Sequence, residues 1–231
     1  MVPVAAYLTC RFRVIIPDQI GFGESTHPVD ADYSPPAQAK RLRAFVRALG
    51  ITNLHLGGNS MGGQIALTYT AFFPEEAESL WLLCPTGIWS TPKSAWQTTI
   101  EKTGENPLLV RTPDDFRTLL QMAVGSPVPN IPAPILSILA ERRIKNYAPE
   151  KRIFEATFSD SVEKRVAGLT TSTLIVWGGN DQMVNIEASR ILDGLMPCSQ
   201  VIVMEKAGHV PMLEDPAWAA WDYLKFRAAL G

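Results

Sequence analysis

The chain has 231 residues, 46% of them hydrophobic and 9% aromatic, with 21 basic against 23 acidic side chains and a net charge of −2. This composition excludes general disorder, and its charge balance argues against a basic nucleic-acid surface or a polybasic membrane anchor. The length suits one or two domains with a core large enough to need no staples.

Short β-rich apolar runs alternate with helical patterns, the signature of a parallel sheet covered by helices. In chain order, Phe12-Arg13-Val14-Ile15-Ile16 reads as a first strand. A helix follows from about residue 36 to Leu49, with Leu42, Phe45, Val46 and Leu49 on one face and Gly50 suited to the position just past its end. Leu54-His55-Leu56 is a second strand running into Gly57-Gly58-Asn59-Ser60. Another helix continues through Ile65, Leu67, Tyr69 and Phe72 to Pro74. Leu80–Leu83, Leu174–Trp177 and Val201–Met204 read as further strands. Asp215 has the features of an N-cap with Pro216 behind it, opening a C-terminal helix expected to bury Trp218, Trp221 and Leu224.

Residues 90–167 break this alternation. They hold no convincing strand, several prolines (Pro127, Pro129, Pro132, Pro134) and helical pieces such as Ala133–Ala140. We read 90–167 as a helical cap or lid inserted into a core made of residues 1–89 and 168–231. No repeats or low-complexity tracts interrupt the chain.

Cys10, Cys84 and Cys198 are too few and too far apart for a disulfide framework, and no C-x-x-C pair is present. No apolar run approaches the roughly 18–20 residues of a membrane span. The start, Met1–Leu8, lacks the basic residues and cleavage site of an export signal. The default expectation is a cytoplasmic location.

Gly58-Asn59-Ser60-Met61-Gly62 fits G-x-S-x-G between a predicted strand and a predicted helix. A serine on such a sharp turn takes a strained backbone, and its neighbours two positions away are expected to be small so that the turn closes. The Met61 N–H then lies at a helix start, where it can meet developing negative charge. At average glycine usage of about 7%, about 0.1 chance matches arise in a chain of this length. The bland alternative is a glycine-rich turn that only joins two elements.

A nucleophilic serine needs a base, and the histidines are His27, His55 and His209. His209 follows a strand in Ala207-Gly208-His209-Val210-Pro211, at the end where open α/β sheets place their sites. His55 lies inside a strand, committed to its packing, and His27 lies unanchored in a polar loop near the expected pocket mouth; both are expected to be structural or solvated rather than catalytic. Asp181 follows the strand before His209, giving the order Ser60, Asp181, His209 that suits this architecture. Its bland role is to cap a turn ahead of a helix near Asn185. A second acid position, after Leu80–Leu83, holds Cys84, which is no carboxylate.

Other patterns fall away. Asp18–Ser25 lacks the third glycine of a dinucleotide loop, and the Gly57–Gly63 run lacks the lysine of a phosphate loop. The dispersed histidines and cysteines predict no metal-ligand cluster, so no cofactor and no metal are expected. Adjacent Glu214 and Asp215 are explained by a capped helix start.

On Ile16-Pro17-Asp18, Gly21–Ser25, Gly58–Gly63, Trp177–Asp181 and Gly208–Pro216, the chain resembles α/β-hydrolase-fold serine hydrolases over nearly its whole length. Gly58–Gly63 with Leu80–Leu83 is most similar to bacterial triacylglycerol lipases and esterases. Carbon–carbon bond hydrolases of aromatic degradation share the Asn-Ser-Met core, and a carboxylate-binding role for Arg111, Arg142 or Arg143 would favour them. A catalytically impaired remnant is the third alternative. The resemblance implies Ser60 as nucleophile, His209 as base, Asp181 as its partner, the Met61 N–H in the oxyanion hole, and an acyl ester or lipid as substrate. Leu108, Leu109, Phe116, Leu119, Leu120 and Met122 are candidates for an acyl pocket. It also implies strands preceding residues 2–16 that the sequence does not show. One of them would lie between 12–16 and 54–57, and its loop would supply a second oxyanion donor. Its place is expected to be a groove with unpaired backbone.

Overall fold

The computed structural model describes residues 2–125, 127 and 131–231. Met1 and Pro129, which the sequence reading used, lie outside the described residues. Four strands, β1 (Leu54–Asn59), β2 (Ala77–Leu83), β3 (Thr173–Gly178) and β4 (Ser199–Met204), form one all-parallel sheet in the order β1-β2-β3-β4. Asn59 pairs with Leu83, Leu83 with Val176, and Gly178 with Met204, so all four strands end along one edge.

Alternate side chains of the strands feed two cores. Leu80, Leu82, Ile175 and Trp177 pack beneath α2 (Pro35–Ala48), α3 (Met61–Phe72) and α9 (Glu187–Leu195). Trp81, Leu83, Leu174 and Val176 meet α1 (Val2–Leu8), α10 (Pro211–Glu214) and α11 (Pro216–Ala229) on the other face. Burial on both faces explains why these strands read as near-continuous apolar runs.

Between β2 and β3 the described residues form helices only: α4 (Ala95–Thr103), α5 (Pro113–Ala123), α6 (Ala133–Lys145), α7 (Tyr147–Phe158) and α8 (Glu163–Val166). Local sequence sets their starts. Ser94 with Gln97, and Thr112 with Asp115, make reciprocal capping boxes at α4 and α5.

Two expectations are corrected. Residues 12–16 are not a strand, although Phe12 and Val14 are half-buried against the second core while Arg13 and Ile15 are exposed. Between them and β1 lies an apolar groove of about 700 Å³, lined also by Leu42, Val46 and Ile65. Among the described residues no strand fills it, so the 12–16 backbone has no ladder to join. Among the described residues, β1 pairs only with β2.

The second correction concerns α11. Asp215 Oδ1 does accept the Trp218 N–H at 2.9 Å, and Pro216 follows it. However, the buried face is Ala219, Ala220, Tyr223 and Phe226, while Trp218 and Trp221 stand 45% and 57% exposed. The helix is apolar on both stripes, and the small alanines allow the close approach of α1 and α10 that indoles would block. Tyr223 stacks on Trp81 with ring centroids 4.8 Å apart.

Candidate active site

Ser60, Cys84, Asp181 and His209 all follow the carboxyl ends of strands, β1 to β4 respectively. Ser60 has φ 54° and ψ −123°, an unfavourable backbone for a residue with a Cβ. Its carbonyl accepts the N–H groups of Gln64 and Thr86, at 3.1 and 3.2 Å, which holds the turn. A Cβ on Gly58 would lie 2.3 Å from the Gly62 carbonyl, and one on Gly63 would lie 2.7 Å from Pro85. A Cβ on Gly62 would meet nothing within 4 Å. The turn therefore needs Gly58 and Gly63, and the expected need for a small residue at 62 is not met by any steric contact.

His209 Nδ1 lies 2.9 Å from Asp181 Oδ2. The Asp181 side chain is fully buried, and its other oxygen accepts the N–H groups of Met183 and Val184 at 2.8 and 3.0 Å. One carboxylate thus both caps the turn and faces the imidazole. With Nδ1 engaged, Nε2 is the ring nitrogen left to work on a reactant. Ser60, Met61 and His209 line a single cavity of about 580 Å³. Asn59 ties the two loops together, since its Nδ2 donates to the carbonyls of both Leu83 and His209 at 2.9 Å. Among the described residues no hydrogen bond joins Ser60 Oγ to His209. Such bonds commonly tighten only when a reactant is bound.

Leu108, Phe116, Leu119 and Leu120 of the candidate acyl-pocket residues line the cavity, with Phe154, Phe158 and Met183 opposite; Leu109 and Met122 do not. Of the three arginines, only Arg143 reaches it, and that guanidinium donates to the Leu108 carbonyl at 2.7 Å and sits 2.9 Å from Glu150. Arg111 is engaged by Glu105 and Tyr147, and Arg142 by Glu24. His55 bonds Ser79 at 3.0 Å, and burial with the nearby Arg227 charge lowers its pKa, in keeping with a structural role. His27 is half-buried, does not line the cavity, and its Nε2 is shielded without a partner among the described residues.

The structure also gathers what the sequence disperses: ligand atoms of Cys84, Asp181 and His209 lie within 4.8 Å of one another. Burial, and then the Asp181 carboxylate, push the Cys84 thiol pKa up. Both Asp181 oxygens in this trio are already engaged, Oδ2 by His209 Nδ1 and Oδ1 by two backbone N–H groups.

Glu214, dismissed by sequence reasoning as part of a helix start, has a larger part. Its two carboxylate oxygens accept the N–H groups of Gly208 and Gly125, each at 2.8 Å. The His209 N–H in turn donates to the Ala123 carbonyl at 2.8 Å. Gly125 and Gly208 pack backbone against backbone, where an added Cβ would come within about 2.5 Å of main-chain atoms. The end of α5 is thereby fixed to the histidine loop. Only the short spacing from His209 hinted at this in the sequence.

Residues 3–216 match the family model described as alpha/beta hydrolase fold. The chain is 41% identical to Lipase 3 of Moraxella sp. (strain TA144) over 95% of its own length and 70% of that protein. Lipase 1 of Psychrobacter immobilis is 40% identical over the same shares. Among solved structures, a bacterial membrane phospholipase A superposes with a TM-score of 0.93 at 37% identity, covering 98% of this chain and 73% of that one. The chain belongs to the alpha/beta hydrolase fold family.

Proposed function

We propose that the protein is a lipase or esterase that cleaves carboxylic esters through an acyl-enzyme formed on Ser60. The observation that carries this reading is one cavity lined by a strained serine, a helix-start N–H and a histidine whose far nitrogen is held by a buried carboxylate. The names of the relatives that match over most of this chain support the same class of reaction.

In this mechanism His209 Nε2 takes the Ser60 hydroxyl proton as Oγ attacks the ester carbonyl carbon. The oxyanion develops against the Met61 N–H at the start of α3. Collapse breaks the bond to the alkoxy oxygen, which leaves with the proton from His209. Water, deprotonated by His209, then attacks the acyl carbon, and collapse breaks the bond to Ser60 Oγ, which regains the proton from His209 as the carboxylic acid leaves. Asp181 keeps Nδ1 protonated and stabilises the imidazolium. Residues 90–167 act as a lid over the core of 1–89 and 168–231, with Phe116, Leu119 and Leu120 against the acyl chain. Arg111 and Arg142 do not line the cavity, and Arg143, which does, is held by Glu150 and the Leu108 carbonyl, so carbon–carbon cleavage gains no support.

Labelling with a fluorophosphonate, together with hydrolysis of p-nitrophenyl butyrate, tests this. Both are expected in the parent and absent in folded Ser60→Ala. Folded parent protein that neither labels nor turns over ester would overturn the reading.

A further inference from the structure

Helix α6 has two unlike faces. Leu136 and Ala140 are buried, and Arg143 reaches the cavity. On the opposite side Ile135, Ile138 and Leu139 are 51%, 69% and 50% exposed. The spacing places these three on one stripe that continues into Arg142 and then Lys145. Isolated exposed apolar residues are ordinary, but three large aliphatic side chains in one contiguous stripe mark a contact surface.

Local charge indicates what it contacts. The whole chain carries −2, yet α6 and α7 hold Arg142, Arg143, Lys145, Lys151 and Arg152 against Glu141, Glu150 and Glu155. Glu150 is taken up by Arg143. The Arg142–Glu24 pair, at 3.3 Å between exposed groups, is weak and exchangeable. A second copy facing this stripe across a two-fold axis would set like charges together. An anionic surface would complement them, and an apolar stripe flanked by basic residues is the arrangement that lies in a lipid interface.

We propose that the outer face of α6 docks the protein onto an anionic bilayer, with Ile135, Ile138 and Leu139 entering the acyl boundary and Arg142 and Lys145 at the lipid phosphates. The proposal rests on the ester-cleaving reading for its purpose: α6 has the cavity on one side and this stripe on the other, so docking would bring the cavity to its substrate.

The test is co-sedimentation with phosphatidylcholine vesicles, with and without about one-third phosphatidylglycerol. The parent is expected to pellet with the anionic vesicles and to be released by salt. The triple variant I135S/I138S/L139S is expected to bind at least about tenfold more weakly. The double variant R142S/K145S is expected to lose about twenty-fivefold, taking about fivefold for each basic side chain. Both variants should hydrolyse p-nitrophenyl butyrate as the parent does, which verifies their fold. The proposal is overturned if the parent ignores anionic vesicles or if the stripe variant binds undiminished. It is also overturned if the parent is a dimer that the stripe variant makes monomeric. Vesicle binding needs no turnover: a parent that docks but cleaves no ester sinks the proposed function alone, and one that cleaves soluble ester without docking sinks this inference alone.

Discussion

Replacing Gly62 and Gly58 in turn by alanine separates the written motif from the contacts that enforce it. Gly62 lies in the first turn of α3, where an added Cβ meets nothing within 4 Å and the groove beside β1 is the nearest open space. Alanine there removes backbone freedom from the unfolded chain and favours the helix by about 0.5–1 kcal/mol. For a chain of this size, 1 kcal/mol corresponds to about 2–4 °C, so Gly62→Ala should raise Tm by about 1–4 °C. At Gly58 the same methyl would sit 2.3 Å from the Gly62 carbonyl, against backbone that can yield only if the turn opens. Such overpacking costs about 1–3 kcal/mol, a fall of about 2–12 °C. A displacement of Ser60 by about 1 Å would also slow turnover about 10²-fold. Thermal unfolding with p-nitrophenyl butyrate kinetics reads both effects. The steric reasoning is refuted if Gly62→Ala is as damaging as Gly58→Ala.

Three further outcomes are expected. Glu214→Ala removes a charged acceptor from two backbone N–H groups and should cost about 3 kcal/mol, lowering Tm by about 6–12 °C. Its kcat, assayed well below that Tm, should fall at least about tenfold with Glu214→Gln intermediate; an unchanged kcat would restrict Glu214 to stability alone. Asp181→Asn should lower kcat by about 10⁴, and adding Cys84→Asp to it should recover about tenfold or more, because position 84 already faces Asp181 and His209; no recovery would show that a carboxylate at 84 fails to reach the imidazole. The third outcome concerns pH. Hydrogen bonds from Arg43, Tyr69 and Arg47 depress the buried Glu76 carboxyl from 4.5 to about 2. Its stabilisation is present above pH 4.5 and is lost as pH falls toward about 2. Parent Tm should therefore drop more steeply across that window than that of Glu76→Gln; parallel curves would refute it.

The strands read at 54–56, 80–83, 174–177 and 201–204 all exist, extended by one to three residues at one or both ends; β2 and β3 were the plainest because burial on both faces makes an apolar run. The positions of Ser60, Asp181 and His209 were legible because each follows such a strand. Residues 12–16 misled because a β-rich apolar run shows only that a segment would suit a sheet; pairing depends on a neighbour the run does not contain. The buried stripe of α11 misled because both sides are apolar and steric fit, not hydrophobicity, chooses Ala219 and Ala220 over Trp218 and Trp221. Glu214 was hidden because its partners are main-chain amides, which carry no sequence signature.

Among the described residues, the strand that carries Ser60 is fastened along one flank only. Every second amide of residues 54–59 points away from β2 into the vacancy beside it. Those protons should trade for deuterium far sooner than their counterparts in β2, which is clasped on both sides. On gradual warming the plank beneath the nucleophile should work loose before β2 and β3, and catalysis should fade while the circular dichroism of the inner sheet still stands.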